Sequence, residues 1–344
     1  MIVIFTLITI FKSLLLSFCT FISDCLQSLS QAAQKRLPSA LAQSTQRTYN
    51  AMFRMFVAFL VFAKTDLHQV NSTVFLAFLE CLVVNGTKAA QLQNYVSAIR
   101  TLSICLNLQC SFLDHPSVSL FIKSVQKTST FTVKLKHIID IDLLKNIVQA
   151  CDLTYLGKIF KACYLISFFG FFRLSNLVPH TTSSFSILKH ITRGDVFFQP
   201  HITTILITWS KTMQENNQAK LIQLPILNNS LCPTNALKNC LKITPGDKNT
   251  PLFQYQVAKN WLPMTDNRVR KHLKNILMFL NLDSDFITFH SFRRSGATFA
   301  FNHNVPLQQI QKHGIWTSDC VWRYICDTTN AGSQVASTFA ELLS

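Results

Sequence analysis

Acidic residues are scarce in this chain. Its 344 residues include 16 Asp and Glu against 32 Lys and Arg, which gives a formal net charge of +16 and a pI near 9.5. The excess is spread out: residues 35–136 hold 11 basic and 3 acidic side chains, and residues 137–344 hold 20 and 12. Two basic halves suit a partner with dense negative charge, of which nucleic acid is the commonest and acidic membrane lipid the alternative.

Motifs for metal and nucleotide chemistry are also missing. The 11 cysteines are odd in number, scattered and without a C-x-x-C pair, and the 10 histidines form no H-E-x-x-H motif. A glycine-rich P-loop is absent as well. We therefore predict reduced core cysteines in an intracellular protein, and we expect no bound metal, no cofactor and no small-molecule substrate.

The first 34 residues open with an apolar run, MIVIFTLITIFKSLLLSFCTFIS, that contains Lys12 and several Ser and Thr. A spanning helix needs about 20 mostly apolar residues, and a central lysine costs about 2.5 to 3.5 kcal/mol. No basic region precedes the run, which argues against a secretory signal. We favour an extension outside the folded unit, such as one from an upstream start codon, over a marginal membrane helix.

Helical periodicity fills the following hundred residues. Apolar side chains recur every three or four positions in STQRTYNAMFRMFVAFLVFAK, where Ser44 and Thr45 are candidate N-caps. The next helix, in NSTVFLAFLECLVVNG, has Asn71 or Ser72 as its cap and Gly86 as its stop. KAAQLQNYVSAIRTLSICLN and HPSVSLFIKSVQK continue the pattern. The predicted aromatic stripe of the first helix is Tyr49, Phe53, Phe56, Phe59 and Phe62.

The second half mixes helices with a few strands. After a linker rich in Ser, Thr and Lys, helical patterns run to VP at position 179, and three β-branched or aromatic runs follow: DVFFQ, TTILITWSK and AKLIQLPI. Helices then resume at CPTNALKNCLKI, with Pro233 in the first turn, and persist to the end. We predict a mainly α protein with a single small antiparallel sheet. The predicted parts are 1–34 (extension), 36–127 (helical domain), 128–136 (linker) and 137–344 (second domain).

Six residues stand in a telling order along the second domain. They are Arg173 in GFFRLSNL, Lys211 in TWSKTMQ, His290 and Arg293 in FHSFRRSG, Trp316 in HGIWTSD, and Tyr324 in VWRYI. Their order resembles the catalytic domain of the tyrosine recombinase family, in which an Arg, a hairpin Lys, a His-x-x-Arg box, a His or Trp, and a nucleophilic Tyr follow one another. The local sequences GFFRLSNLVP and SFRRSGATFAF are most similar to those of the recombinases of eukaryotic mobile elements of the DIRS and Crypton kinds.

These residue types suit cleavage of a phosphodiester, which needs a nucleophile and neutralisation of the charge that grows on the phosphate oxygens. Tyr324 supplies a phenol, whose pKa of about 10 makes it a weak nucleophile until its proton is removed. Arg173 and Arg293 supply guanidinium groups that bind two phosphate oxygens at once. The alternative for Tyr324 is an aromatic on a buried helix face with Val321, Trp322 and Ile325.

The remaining candidates handle protons and hydrogen bonds. His290 fits a proton acceptor or donor near neutral pH, and Trp316 offers one indole N–H. Lys211 fits the general acid for the departing 5′ oxygen, with Lys220 on the facing strand as its competitor. Single examples of each residue are common by chance; it is their order that carries the prediction.

Two features depart from the family pattern. The position three after Arg173 is usually acidic and here is Asn176. Eight positions separate Trp316 from Tyr324, one fewer than in many members, and one residue on a helix turns a side chain by about 100°. His313, three residues before Trp316, is the alternative for the His or Trp role.

The resemblance, which spans roughly residues 36–330, implies a fold and a function. The fold is a SAM-like helical core-binding domain followed by the mostly helical catalytic domain, both clamping double-stranded DNA. The function is site-specific recombination or integration through a 3′-phosphotyrosyl intermediate in a homotetramer, with the nucleus as the location in a eukaryote. The tail NAGSQVASTFAELL has the pattern of a small amphipathic helix, which we expect to dock on a neighbouring subunit. The alternatives are a type IB topoisomerase, a domesticated DNA-binding protein without activity, and a membrane-anchored protein with an incidental resemblance.

Overall fold

Helices dominate both units of the chain, which divides into Met1–Thr132 and Val133–Ser344. The structure is a computed structural model that describes residues 31–325 except 34, 129–136, 152–153, 210–218 and 317–318. The predicted linker, most of the N-terminal extension and the C-terminal tail lie outside the described residues. Within the described part, no helix is long and apolar enough to cross a membrane.

In the first unit, an aromatic core holds the helices together. Phe56 is fully buried and its ring packs edge-on against Phe75 and at 5.0 Å from Phe78. Asn71 caps the second of these helices, because its side chain accepts a hydrogen bond from Val74 N at 3.0 Å. The helices are α1 Gln43–Phe62, α2 Ser72–Val84, α3 Ala89–Cys105 and α4 Pro116–Thr128.

Two details of α1 differ from the predictions. The helix begins at Gln43 after Ala42, which makes no side-chain cap, so Ser44 and Thr45 lie inside the helix and are not its N-caps. Phe62, the last member of the predicted stripe, is 86% exposed. Phe62 is the last residue of α1. Periodicity shows which side chains share a helix face, but it does not show where the residues that cover that face end.

In the second unit, a largely buried helix forms the centre of the core. Every residue from Ile159 to Phe168 except Lys161 is buried, so this stretch is apolar on nearly all sides, as expected of a central helix. Pro233 lies in the first turn of its helix as predicted. The helices are α5 Ile141–Ala150, α6 Tyr155–Phe169, α7 Leu174–Leu177, α8 Pro233–Ile243, α9 Asp266–Phe279, α10 Phe289–Asn302 and α11 Leu307–His313, followed by a 3₁₀ helix at Asp319–Arg323.

The predicted three-stranded antiparallel sheet is present, in the order β1 Val196–Phe198, β2 Ile202–Ile207, β3 Lys220–Pro225. Ile205 pairs with Val196 on one side and with Ile222 on the other.

The prediction of a single sheet was wrong. A second hairpin joins β4 Gln254–Val257 to β5 Asn260–Pro263. Its two turn residues are Ala258 and Lys259, with Ala258 at a φ of 53°. This left-handed conformation normally selects Gly or Asn, so the sequence carries no turn signal here.

A small separate core lies near the C-terminal end of the described chain. It joins Phe171, at the end of α6, to Ala297 on α10, Ile310 on α11 and the Trp316 and Val321 side chains. This cluster brings the loop after α6 and the segment after α11 onto the face of α10. Five of the six predicted functional residues, all except Lys211, lie on these three pieces of chain.

Candidate active site

Arg173 lies just after the central helix. The chain leaves α6 at Phe169, passes through a left-handed residue at Phe171, whose φ is 50°, and places Arg173 at the N-cap position of α7. The Arg173 side chain is half-buried. It lines a cavity of about 390 Å³ together with His290.

His290 and Arg293 lie on α10, three positions apart and therefore on one face of the helix. Thr288 begins the helix with a capping box, in which Thr288 N donates to Ser291 Oγ at 3.1 Å. The cap fixes the first turn, and this turn carries His290. The side chains of His290 and Arg293 therefore point to the same side of α10.

The guanidinium of Arg293 is buried, with only 2% of the residue exposed, and donates to two backbone carbonyls. One is Phe171 O and the other is Gly314 O, at 2.6 Å. Both carbonyls belong to turns with a left-handed residue, at Phe171 (φ 50°) and at Ile315 (φ 53°). Such a conformation costs about 1 to 3 kcal/mol for a residue with a side chain, so the rest of the fold must impose both turns.

Trp316 covers the other face of Arg293. The Arg293 Cζ atom lies 4.1 Å from the centroid of the Trp316 ring, a cation–π contact. Gly314 makes this packing possible, because a Cβ there would lie 1.8 Å from Trp316 Cζ3. Arg293 Nε and Trp316 Nε1 are both buried and have no hydrogen-bond partner among the described atoms.

The Tyr324 ring packs near three of the predicted site residues. Its centroid lies 5.0 Å from that of His290, 5.0 Å from that of Trp316 and 5.3 Å from Arg293 Cζ. The Tyr324 carbonyl accepts a hydrogen bond from Thr298 Oγ1 at 3.2 Å, which ties the segment to α10.

The helix predicted around Tyr324 is only a short 3₁₀ helix, Asp319–Arg323. Val321 and Ile325 are buried as expected, but Trp322 is 53% exposed, so the predicted apolar face does not include it. A 3₁₀ helix has about 3.0 residues per turn. Tyr324 therefore follows a 3₁₀ helix and not an α-helix, so the rotation of about 100° per residue expected for an α-helix does not apply to it.

Positive charges outnumber negative ones around His290, where Asp266 lines the same cavity and lies 3.8 Å from Arg270 Nε. Part of His290 is exposed to solvent, and the rest is buried by the surrounding protein. This burial, and after it the charges of four arginines, lower the pKa of His290 to about 4, so the ring is neutral at pH 7. Burial also lowers the pKa of Arg293, and the charge of Arg173 lowers it further. The arginines that act on His290 are, in decreasing order of effect, Arg293, Arg173, Arg294 and Arg270.

Lys211 lies outside the described residues, in the segment 210–218. That segment joins β2 to β3, so Lys211 lies on the connection between two hairpin strands. Its competitor Lys220 is the first residue of β3, pairs with Ile207 and is exposed. Which of the two lysines reaches the site stays a prediction.

Asn176 is buried and donates from Nδ2 to Trp209 O at 3.2 Å. Its own carbonyl accepts from Ile191 N at 3.3 Å. An ionised carboxylate can only accept hydrogen bonds, so the acidic residue usual at this position could not make the bond to the Trp209 carbonyl. The Asn176 amide therefore links α7 to Trp209, just before the segment that contains Lys211, through a hydrogen bond that a carboxylate could not donate.

His313 lies apart from the tyrosine ring. His313 Nε2 is 2.8 Å from Phe169 O, its ring packs edge-on against Phe171, and burial lowers its pKa. It lines a different, mostly apolar cavity of about 320 Å³. Of the two candidates for the His or Trp role, His313 and Trp316, it is Trp316 whose ring packs against Tyr324.

Other side chains near the site had not been singled out in the sequence. Lys189, Trp209 and Arg270 line the same cavity as Arg173, and Lys189 Nζ lies 5.9 Å from the Trp209 ring centroid. Lys189 and Trp209 lie in loops, and Arg270 lies on α9. Of the three, only Arg270, in the basic run DNRVRKHLK, belongs to a sequence pattern that suggests phosphate binding. Among the described residues, no three His, Cys, Asp or Glu side chains group as a metal site would require.

Comparison with solved structures identifies the fold. A post-cleavage complex of the XerH site-specific recombinase with palindromic difH substrate matches with a TM-score of 0.63 and 17% identity, over 92% of this chain and 88% of that one. The Tn1549 transposon integrase (residues 82–397) with transposon right end DNA matches with a TM-score of 0.61 and 12% identity, over 90% and 99%. A lambda integrase dimer bound to a COC′ core site matches with a TM-score of 0.55 and 16% identity, over 89% and 78%.

The chain thus has the fold of the tyrosine recombinases and integrases. No protein-family model matches the sequence, and the search of curated proteins finds no relative. At these identities the similarity establishes the fold, and the function must be argued from the site.

Proposed function

We propose that this protein cuts and rejoins double-stranded DNA through a covalent bond to Tyr324. The observation that carries the proposal is the group of His290, Arg293, Trp316 and Tyr324 around two buried N–H groups that lack acceptors. A buried donor without a partner costs about 1 to 3 kcal/mol. A phosphate oxygen would satisfy such donors, and DNA supplies phosphates.

The charges around the site favour the same ligand. The charge of Arg173 lowers the pKa of Arg293, and both charges lower the pKa of His290. Like charges held together raise the energy of the free protein, whereas a phosphodiester between them would be attracted to both. Arginine suits this role because its planar fork binds two phosphate oxygens.

The proposed reaction is a transesterification. The Tyr324 hydroxyl loses its proton to neutral His290 and attacks the phosphorus, forming an O–P bond while the bond to the 5′ oxygen breaks. Arg173, Arg293 and the Trp316 N–H stabilise the charge on the non-bridging oxygens. Lys211 gives a proton to the 5′ oxygen, and the products are a 3′-phosphotyrosyl linkage and a 5′ hydroxyl.

The linkage stores the bond energy for the reverse step. A 5′ hydroxyl of the same or another strand can attack the phosphotyrosine, releasing Tyr324, without ATP. Attack by a second duplex would make the protein a site-specific recombinase or integrase. We infer this outcome from the resemblance in motif order and local sequence. The same resemblance leads us to infer a tetramer, a mobile element of the DIRS or Crypton kind, and a nuclear location in a eukaryote.

The decisive experiment asks whether DNA becomes covalently attached to Tyr324. The full chain, its Tyr324→Phe variant and a Tyr155→Phe control would be incubated in EDTA with supercoiled plasmid and with a pool of nicked duplexes randomised around the nick. Tyr155 is a half-buried tyrosine of the same unit, on α6. Denaturing gels then separate protein–DNA adducts from free DNA.

We expect an adduct with the wild type and with Tyr155→Phe, and none with Tyr324→Phe. An adduct that survives in Tyr324→Phe contradicts the assignment of the nucleophile. If all three proteins bind DNA equally and none forms an adduct, the protein is a DNA-binding protein without cleavage activity. Relaxation of the plasmid without exchange between duplexes would instead indicate a topoisomerase.

A further inference from the structure

A basic cavity lies in the second unit, formed by residues other than those of the candidate active site. Its volume is about 510 Å³, within the range of small-molecule sites. Three lysines line it: Lys158 and Lys161 from α6, and Lys242 from α8. The candidate active-site residue Arg173 follows the C-terminal end of α6, whereas Lys158 and Lys161 belong to its N-terminal half.

Helix geometry brings the polar groups of this cavity together. Lys158 and Lys161 are three positions apart on α6 and share a face. Asn235, Asn239 and Lys242 recur at spacings of four and three on α8, so they form one stripe. Because α6 packs against α8, the two faces meet at the cavity.

The cavity is positively charged and rich in hydrogen-bond donors. The described lining residues include no Asp or Glu, and none of the three lysines forms an ion pair within the described part of the chain. Asn229, at the rim, accepts from Leu231 N at 2.9 Å through Oδ1. This bond fixes the side chain and leaves its amide nitrogen as a donor.

Unpaired lysines are common in a chain with 32 basic and 16 acidic residues, so their number alone carries no conclusion. The distinguishing feature is their convergence on one concave space with several amide groups and an apolar floor that includes Val148 and Ala236. Like charges that line one cavity repel each other when it is empty, and water screens this repulsion most at Lys158 and Lys242, which are exposed. An anion with several negative oxygens removes that repulsion and accepts from both ammonium and amide groups.

We propose that this cavity is a second phosphate-binding site, for a ligand that carries at least two phosphate groups. The phosphates come either from a free polyphosphate or nucleotide, or from the backbone of a DNA segment outside the one that is cut. The site does not depend on the proposed chemistry of Tyr324, because it shares no residue with the candidate active site.

The test uses inorganic tripolyphosphate as the probe and isothermal titration calorimetry of the full chain. The cavity variant is Lys158→Gln with Lys161→Gln and Lys242→Gln. The matched control, Lys248→Gln with Lys259→Gln and Lys271→Gln, removes the same charge from exposed lysines of the same unit that do not line the cavity. Arg173→Gln reports binding of the probe at the candidate active site.

We expect the cavity variant to weaken tripolyphosphate binding by about tenfold or more and the matched control to leave it nearly unchanged. Binding that is lost in Arg173→Gln but kept in the cavity variant belongs to the candidate active site. Asn239→Asp, which adds a carboxylate to the same face of α8, is expected to weaken it too. Equal losses in the control and cavity variants, or no binding to the wild type, would overturn the proposal.

A second arm identifies the source of the phosphate groups. Duplex DNA is titrated into the same proteins, and its affinity is measured by fluorescence anisotropy. If the cavity variant weakens duplex binding more than the matched control does, the phosphates are those of DNA. If both variants bind duplex DNA alike while only the cavity variant loses tripolyphosphate, the ligand is a free polyphosphate or nucleotide.

Discussion

Arg293 illustrates how far a single side chain departs from what its position in a motif predicts. The motif predicts a guanidinium offered to phosphate, but the side chain is buried and donates to the carbonyls of Phe171 and Gly314. A guanidinium has five N–H groups, and the carbonyl bonds orient it while leaving Nε–H without a partner. The two carbonyls therefore hold Arg293 in place, and the Nε–H donor stays available for the phosphate of the proposed reaction.

Trp316→Phe tests whether the unpartnered indole N–H acts on the reaction. Because Trp316 Nε1 has no acceptor in the free protein, its loss removes no hydrogen bond from the folded state. We expect the rate of adduct formation to fall by about 10² to 10³-fold, the usual effect of losing one donor to transition-state charge. Quenched single-turnover reactions on denaturing gels measure this rate.

Trp322→Phe is the control for that experiment, since this residue is exposed and packs against Phe301. It should cleave at the wild-type rate. A Trp316→Phe protein that keeps the wild-type rate would show that the indole only fills space. Urea unfolding of both variants reports the part of the effect that comes from ring size.

His290 predicts a pH dependence of stability. Its pKa falls from 6.5 to about 4 on folding, so between these pH values the unfolded chain holds a proton that the folded chain does not. The free energy of unfolding therefore decreases as the pH drops from 6.5 towards 4, and the full stability is present above 6.5. Urea unfolding across this pH range measures it.

His290→Gln should make that decrease shallower, whereas the exposed His201 changed to Gln should not. Burial lowers the pKa values of His190 and His313 as well, so part of the slope is expected to remain. The assignment to His290 fails if its Gln variant has the wild-type slope.

At the scale of elements, the sequence was most informative where periodicity and packing agree. The first-unit helices and the three-stranded sheet follow from apolar patterns of period 3.6 and 2. The hairpin around Ala258 could not be predicted, because its turn uses a left-handed Ala. The grouping of Arg173, His290 and Tyr324 was expected from the family order alone, since no local pattern links residues so far apart.

The contact between α6 and α10 rests on a glycine. A Cβ at Gly296 would lie 2.0 Å from Phe168 O and 2.8 Å from the Phe171 ring. Gly296→Ala should therefore separate the two helices, destabilise the protein by about 1 to 3 kcal/mol and slow adduct formation, because Phe171 O also holds Arg293. The measurements are urea unfolding and the adduct assay.

Ala300→Ser adds one heavy atom to the same helix at a partly exposed position and is expected to be close to neutral. Equal stability of Gly296→Ala and Ala300→Ser would show that α6 and α10 can separate without cost. In that event, the close approach of the helices would not be what positions Arg293.

At the scale of the whole molecule, the charge of +16 predicts that the proposed binding to DNA depends on salt. Each phosphate neutralised by a Lys or Arg releases counterions, so the logarithm of the binding constant falls linearly with the logarithm of salt concentration. Because basic residues exceed acidic ones in both halves of the sequence, we expect a steep dependence. Neither half alone should account for it.

Arg173→Gln separates a phosphate contact from this general attraction. We expect the variant to bind duplex DNA more weakly at every sequence and to reduce the salt slope by about 1, as the loss of one phosphate contact does. Arg268→Gln is the matched control, because Arg268 also belongs to the second unit but lies 3.7 Å over the Tyr255 ring. Fluorescence anisotropy over a series of salt concentrations gives both slopes. If the two variants change the slope equally, Arg173 contributes only its share of the net charge, and the phosphate in the proposed mechanism must be bound by Arg293 and its neighbours alone.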